Sequence, residues 1–155
     1  MITLRPMTTV EFPQYRDYFI VDYATEIAAN YGYSLEKSRV IAAKELTEDL
    51  PQDVSTPDHT LLCIERSGIE TIGYLWYKQL DQGQTIFILD FVLFAEFRGR
   101  GRGQAALLAL QEQLLQTGIE QIKLRVAFNN QRALRLYEKF GFTITGYNMV
   151  KLLEK

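Results

Sequence analysis

A single cysteine and a single histidine in 155 residues remove two kinds of chemistry from consideration at once. One cysteine excludes a disulfide within the chain, and its setting in Leu61-Leu62-Cys63-Ile64 reads as a buried, inert thiol. No cluster of histidine and cysteine at ligand spacing exists, so no metal is expected. The apolar run from Ile86 to Phe94 is broken by Asp90 and is far too short to cross a bilayer. Met1 to Thr9 lacks the apolar segment of a signal peptide, so a cytoplasmic protein is expected. A net charge of −2 gives no global attraction to nucleic acid or to an anionic membrane, and neither is expected as a partner. Prolines and glycines are too scattered to form a linker, and no internal repeat is visible. With 47% hydrophobic residues, the chain is expected to form one domain over 1–155.

Against these absences stands Arg98-Gly99-Arg100-Gly101-Arg102-Gly103. It follows an apolar strand pattern and precedes a helical one, Ala105 to Leu115. A helix that opens from a glycine-rich turn presents unpaired backbone N–H groups and the positive end of its dipole, which together favour a phosphate or pyrophosphate. Glycine lets the backbone approach such a ligand and adopt positive φ. The chain has no Gly-x-x-x-x-Gly-Lys-Ser/Thr run, which excludes a P-loop. Gly101-x-Gly103-x-x-Ala106 is a weak dinucleotide fingerprint, because Arg125 lies about where an acidic residue is required.

A third pattern fits better. Arg98-x-x-Gly101-x-Gly103 is followed, after a helix and a strand (Ile122 to Phe128), by Asn130-Gln131-Arg132-Ala133-Leu134-Arg135-Leu136-Tyr137 and then Phe140-Gly141-Phe142. Two motifs in this order resemble the GNAT superfamily of N-acetyltransferases over residues 84–146, while residues 1–80 are compatible with it. Ala95 stands where that family commonly has proline, and Arg102 where it has an aliphatic residue. Neither departure removes a backbone donor.

Hydrophobic patterning supplies the elements. Ile2 to Arg5 alternates as a first strand, and Thr8-x-x-Glu11 reads as a capping box opening a helix to about Tyr31. Ser34 caps a second helix that Pro51 closes. Strands are expected at Thr60 to Glu65, Thr71 to Gln79 and Thr85 to Phe94. A helix from Gly103 to Thr117 shows Ala106, Leu107, Leu110 and Leu114 on one face and ends at Gly118. Helix Asn130 to Phe140 and two closing strands, Phe142 to Gly146 and Met149 to Leu153, complete the chain. The expected class is α/β (α+β): a single mixed, mostly antiparallel sheet of six to seven strands with about four helices.

The resemblance implies acetyl-CoA as cosubstrate and transfer of its acetyl group to a primary amine. Such a reaction requires a deprotonated amine, donors for the developing oxyanion, and a proton for the departing thiolate. By resemblance, Tyr137 lies beside the CoA sulfur, where a neutral phenol (pKa about 10 in water) is the general acid. Its spacing with Ala133, Leu136 and Phe140 equally describes a core residue. The resemblance also implies that the Leu93 N–H faces the thioester carbonyl and that Gly99, Arg100, Gly101, Arg102 and Gly103 present amides to the pyrophosphate. Among the arginine side chains it favours Arg98, with Arg100 and Arg102 read as solvated. Asn130 is implied as a contact to the pantetheine arm, and its position also suits a helix N-cap.

For the general base the residues leave three readings: Asp90, His59 or water. Asp90 interrupts an apolar strand three residues before Leu93, where burial raises a carboxylate's pKa. His59 titrates in the useful range but begins a strand after a loop. Tyr18, Asp22, Tyr23 and Glu26 on the first helix, with Tyr74 and Trp76 on a strand, would receive a cationic amine. Two other functions remain open at this point: a CoA-binding module without catalysis, and an Arg-Gly nucleic-acid binder. The oligomeric state is open too, with a homodimer among the options.

Overall fold

The computed structural model describes residues 1–154. Strand β1 (Ile2–Pro6) leads into Thr8 and Glu11, which cap each other: the Glu11 N–H donates to Thr8 Oγ1 at 3.2 Å and the Thr8 N–H to Glu11 Oε1 at 2.9 Å. Helix α1 (Phe12–Tyr31) starts there with Pro13 in its first turn, and stops where Gly32 takes the left-handed conformation, φ 71°. It buries Phe12, Tyr15, Phe19, Ala24 and Ile27. In helix α2 (Leu35–Asp49), Ser34 Oγ accepts the Lys37 N–H at 3.1 Å, and Ser38, Ala42 and Leu46, four residues apart, form the buried stripe.

Strands β2 (His59–Arg66), β3 (Glu70–Leu80) and β4 (Thr85–Leu93) form an antiparallel meander that continues β1. Helix α3 (Arg102–Gln116) then crosses back, so that β5 (Gln121–Leu124) pairs with β4 in parallel. The sheet order is β1-β2-β3-β4-β5. Helix α4 (Gln131–Lys139) follows β5.

The two sheet faces carry separate cores. On one, Ala106, Leu107, Leu110 and Leu114 of α3 pack on Leu62, Ile64, Ile72, Leu75, Ile86 and Ile88. These four helix residues are the face read from the sequence. On the other, Phe12, Tyr15, Phe19 and Leu46 pack on Leu61, Cys63, Tyr74 and Trp76. Cys63 is fully buried there, and burial with the neighbouring Glu11 pushes its thiol up to about 11.

The expected strand count needs correction: among the described residues the sheet has five strands, not six to seven. Neither Phe142 to Gly146 nor Met149 to Leu153 is a strand. A strand exists only through a partner's hydrogen bonds, and the chain beyond Phe142 pairs with no sheet edge. Strand β5 is also shorter than expected, ending at Leu124 rather than Phe128.

Candidate functional site

The site begins where β4 and β5 part. Their parallel pairing runs from Thr85↔Gln121 to Ile88↔Leu124 and stops, although β4 continues to Leu93. Beyond Ile88 a gap opens on the side of β4 that β5 has left. Antiparallel pairing decides which β4 groups face it. The Phe94 N–H donates to Ile72 O on the β3 side at 2.8 Å, and alternation turns the Leu93 N–H and C=O the other way, into the gap. Leu93 O accepts from Arg98 Nε at 2.8 Å, so Arg98 braces the strand end from the next loop. The Leu93 amide, expected from the resemblance to face the reacting carbonyl, lies on the side of β4 away from β3.

The Arg-Gly loop forms the end of this gap. Gly99 and Gly101 have φ of 80° and 74°, which an L side chain resists. Gly101 is the N-cap of α3, and its carbonyl accepts the first intrahelical bond, from the Ala105 N–H at 3.0 Å. The N–H groups of Arg102, Gly103 and Gln104 precede that bond and have no acceptor within the helix. Gly103 has a different reason to be glycine: a Cβ there would lie 3.1 Å from Leu136 Cδ2, so it permits α3 and α4 to approach. The donor set suits a pyrophosphate: amides at a helix start, with two glycines freeing the turn before it.

The arginines divide. The Arg102 guanidinium lies 5.6 Å from the centre of the Phe97 ring, Arg100 is exposed, and Arg98 is committed to Leu93. The sequence reading missed Arg132, whose Nη2 would be 3.8 Å from a Cβ on Gly99. Its only signal was its place in the Asn130-Gln131-Arg132 run. Asn130 acts as the α4 N-cap, Oδ1 accepting the Ala133 N–H at 3.1 Å.

Tyr137, the one buried residue of α4, is 8% exposed, with its ring 5.6 Å from Phe142 and 6.4 Å from Phe91. It therefore packs as core, as its spacing allowed. Burial, with the nearby Asp90 charge, holds its phenol well above the ordinary range, so it stays protonated at neutral pH.

Asp90 reaches its position through an irregularity. Trp76 pairs with Asp90 and Tyr77 with Ile88, leaving Leu89 as an extra residue in β4. Strict alternation would put Asp90 on the α3 face with Ile86 and Ile88. The bulge instead turns it to the α1 face, where the Tyr15 hydroxyl donates to Oδ2 at 2.7 Å. Burial raises its pKa from 3.8 to about 7; Asp22 and Glu26 add to the rise, and the Tyr15 hydrogen bond opposes it. Asp90 lines a cleft between α1, α2 and the sheet with Asp22, Glu26, Glu45 and Asp49, and the only cation of that lining is Arg125. Arg125 is itself bound to Glu26 at 2.8 Å.

Of the expected acceptor residues, Asp22, Tyr23, Glu26 and Trp76 line the cleft. Tyr74 is buried in the core, and Tyr18 packs on Tyr74 and Phe94 at 5.9 and 6.4 Å. Glu45, Asp49 and Arg125 were missed, because they come from elements that only the fold brings beside α1. His59 does not line this cleft. Its Nδ1 accepts from Trp76 Nε1 at 2.9 Å, and burial lowers its pKa, so it is a neutral acceptor for the indole.

Comparison with known proteins gives the same direction. The model of the acetyltransferase (GNAT) family matches residues 18–142. The chain is 34% identical to the uncharacterized N-acetyltransferase YycN of Bacillus subtilis, covering 98% of this chain and 99% of that one. It is 30% identical to the uncharacterized N-acetyltransferase YdgE of the same organism, over 97% and 98% of the two chains. The crystal structure of YycN superposes with a TM-score of 0.93 at 33% identity over 100% of both chains. The fold also matches the PaiA N-acetyltransferase of Thermoplasma acidophilum in complex with coenzyme A, at a TM-score of 0.71 and 20% identity over 96% and 93%. The chain belongs to the acetyltransferase (GNAT) family and is an acetyl-CoA-dependent acyltransferase.

Proposed function

We propose that this enzyme moves an acetyl group from acetyl-CoA to the primary amine of a cationic acceptor by direct attack, residues 1–155 acting as one catalytic unit. The observation that carries the reading is the parting of β4 and β5 past Ile88, which leaves the Leu93 amide facing a gap that ends at the Arg-Gly loop. Acetyl-CoA supplies the activated acyl group and a thiolate leaving group.

The chain's own groups divide the work. The amides of Gly99 to Gly103 hold the pyrophosphate, and Arg98 keeps the loop tied to the end of β4. Arg132 adds a positive charge beside Gly99. The Leu93 N–H donates to the thioester oxygen as negative charge develops on it, a contribution of several kcal/mol in sites of this kind. Asn130, while capping α4, offers its amide N–H₂ to the pantetheine arm. Asp90 takes the proton from the incoming ammonium, and a carboxylate titrating about neutrality suits that task. Tyr137 donates its hydroxyl proton to the sulfur.

The acceptor enters from the α1–α2 side. Five carboxylates against one arginine, already paired with Glu26, favour a positively charged amine over a neutral or acidic one. Among the described residues no helix is long and apolar enough to cross a membrane. A cytoplasmic location suits the single buried thiol at Cys63.

Thermal unfolding with and without acetyl-CoA, followed by acetylation of a panel of mono-, di- and polyamines, tests the proposal. Acetyl-CoA at about 100 times its dissociation constant should stabilise the fold by about 2.7 kcal/mol. Binding without turnover on any amine would remove the catalytic reading, and absence of binding would remove the whole of it.

A further inference from the structure

The chain's one histidine and one tryptophan are bound to each other, and neither carries a step of the chemistry proposed above. Their meeting follows from strand register. Leu61 of β2 pairs with Trp76 of β3, and His59, two residues earlier, shares the face of Leu61, so it lies diagonally beside the indole. The Trp76 Nε1–H donates to His59 Nδ1 at 2.9 Å. Trp76 is 1% exposed, and an indole can only donate, so a buried one needs an acceptor. His59 supplies it, and does so only as the neutral tautomer with its hydrogen on Nε2.

The pair reaches the acidic cleft through the indole alone: Trp76 lines it and His59 does not. On its other side Trp76 pairs with Asp90 across β3 and β4, at the irregularity that turns that carboxylate to the α1 face. Phe19 of α1 meets the indole edge-on at 5.3 Å and lines the same cleft. Packing against Phe19 has little directional preference of its own, whereas a hydrogen bond at Nε1 fixes how the indole is turned. The group that sets the shape of the cleft wall beside Asp90 therefore lies outside the cleft.

We infer that His59 is a positioning residue for the acceptor amine: by accepting the indole N–H it fixes Trp76 as the cleft wall next to Asp90, and a proton on the imidazole releases that wall. An imidazolium carries a hydrogen on both nitrogens, so it faces the indole N–H donor to donor. The groups around the ring pull in both directions. Burial, the largest influence, and Lys78 of β3 favour the neutral form, while Asp49 of α2 and Asp58 before β2 favour the cation. Burial prevails, so the clamp is closed at neutral pH and opens on acidification. The inference rests on the reading of this cleft as the acceptor site, and it involves neither the gap beyond Ile88 nor Tyr137.

The test uses the full chain and its single indole. Trp76 emission should step down on acidification below pH 6.5, as the imidazolium forms against it. Over the same range the KM for butylamine, diaminobutane or spermine should rise several-fold while the KM for acetyl-CoA holds. His59→Asn places an acceptor oxygen near the position of Nδ1 and does not titrate. It should keep the neutral-pH acceptor KM and lose both the acidic rise and the emission step. Asp90 titrates nearby and is retained in that variant, so the difference between the two profiles belongs to His59. His59→Leu removes the acceptor and should raise the amine KM at neutral pH by about fivefold or more, the effect of a buried donor left unsatisfied. If His59→Leu does not fold, the comparison of the parent chain with His59→Asn decides alone. An unchanged amine KM in a folded His59→Leu variant overturns the inference, as does an acidic rise that persists in His59→Asn. A parent chain that binds acetyl-CoA but acetylates none of the three amines removes the proposed function and this inference with it, whereas an active chain without the His59-dependent KM removes the inference only.

Discussion

Gly73 of β3 lies directly opposite Leu93 of β4, and a Cβ on Gly73 would fall on the carbonyl oxygen of Val92 and lie 3.0 Å from Leu93 Cα. The absence of a side chain lets β3 press against β4 at the residue whose amide faces the gap. The backbone cannot move aside as a flexible side chain would. Gly73→Ala is therefore expected to destabilise the fold by about 1–3 kcal/mol, the usual cost of overpacking. It should also lower turnover, because shifting β4 misplaces the Leu93 amide. Denaturant unfolding and steady-state kinetics on the same preparation check both, and an alanine variant of unchanged stability would contradict the close approach.

With Asp90 as the proposed base, rate and stability are expected to respond to pH in opposite directions. Its pKa is raised in the folded state from 3.8 to about 7. Between those values the folded chain keeps a proton that the unfolded chain has released, so stability falls as pH rises from about 4 to about 7. The ionised form needed as a base appears over the upper part of that range, so the acetylation rate should climb through about pH 7 and then level. Asp90→Asn should abolish the rising limb, reduce the rate by about 10²–10⁴, and flatten stability across the same pH range. A pH–rate profile that keeps its limb in the Asn variant would reassign the base.

Removing only the hydroxyl of Tyr137 separates its packing from its chemistry. Tyr137→Phe keeps the ring against Phe91 and Phe142, so the unfolding temperature should hold. If the phenol donates to the sulfur, kcat should fall by about 10²–10⁴ while the KM for acetyl-CoA changes little. An unchanged kcat would leave Tyr137 as core alone.

Glu11 secures the start of α1 twice, through its capping partnership with Thr8 and through its pair with Arg5 at 2.8 Å. The Arg5 hydrogen bond is the main reason that its carboxyl lies at about 2 rather than 4.5. A depressed pKa adds stability that is present above the unfolded value and disappears as pH falls through the folded one. Glu11→Ala should cost about 1–2 kcal/mol at neutral pH, in the range of a lost cap. That difference should shrink on acidification from about pH 5 towards 2, as followed by chemical denaturation at each pH.

The legible parts of the chain were those in which local chemistry and tertiary packing agree. The capping box at Thr8 and Glu11, the Ser34 cap and the four-residue stripe of α3 all appear where periodicity and side-chain chemistry put them. Gly99 and Gly101 have the positive φ that an Arg-Gly turn before a helix calls for. The closing strands were misread because Ile144 to Leu153 does carry strand chemistry, while a strand also requires a neighbouring edge that a sequence pattern does not supply. Glu45, Asp49 and Arg125 were not read as lining a site for a related reason: each is ordinary in its own segment, and they meet only in the cleft beside α1.

The sequence alone determined the family and the position of the glycine-rich turn that opens α3, because both reside in short runs whose glycines and backbone donors act on their immediate neighbours. The tertiary structure decided where the Asp90 carboxylate lies. A single extra residue at Leu89 turns Asp90 from the α3 face of the sheet to the α1 face, beside Tyr15 and the acidic cleft. A bulge is set by the register of two strands against each other, so the orientation of that carboxylate is a property of the paired sheet rather than of the residues that flank it.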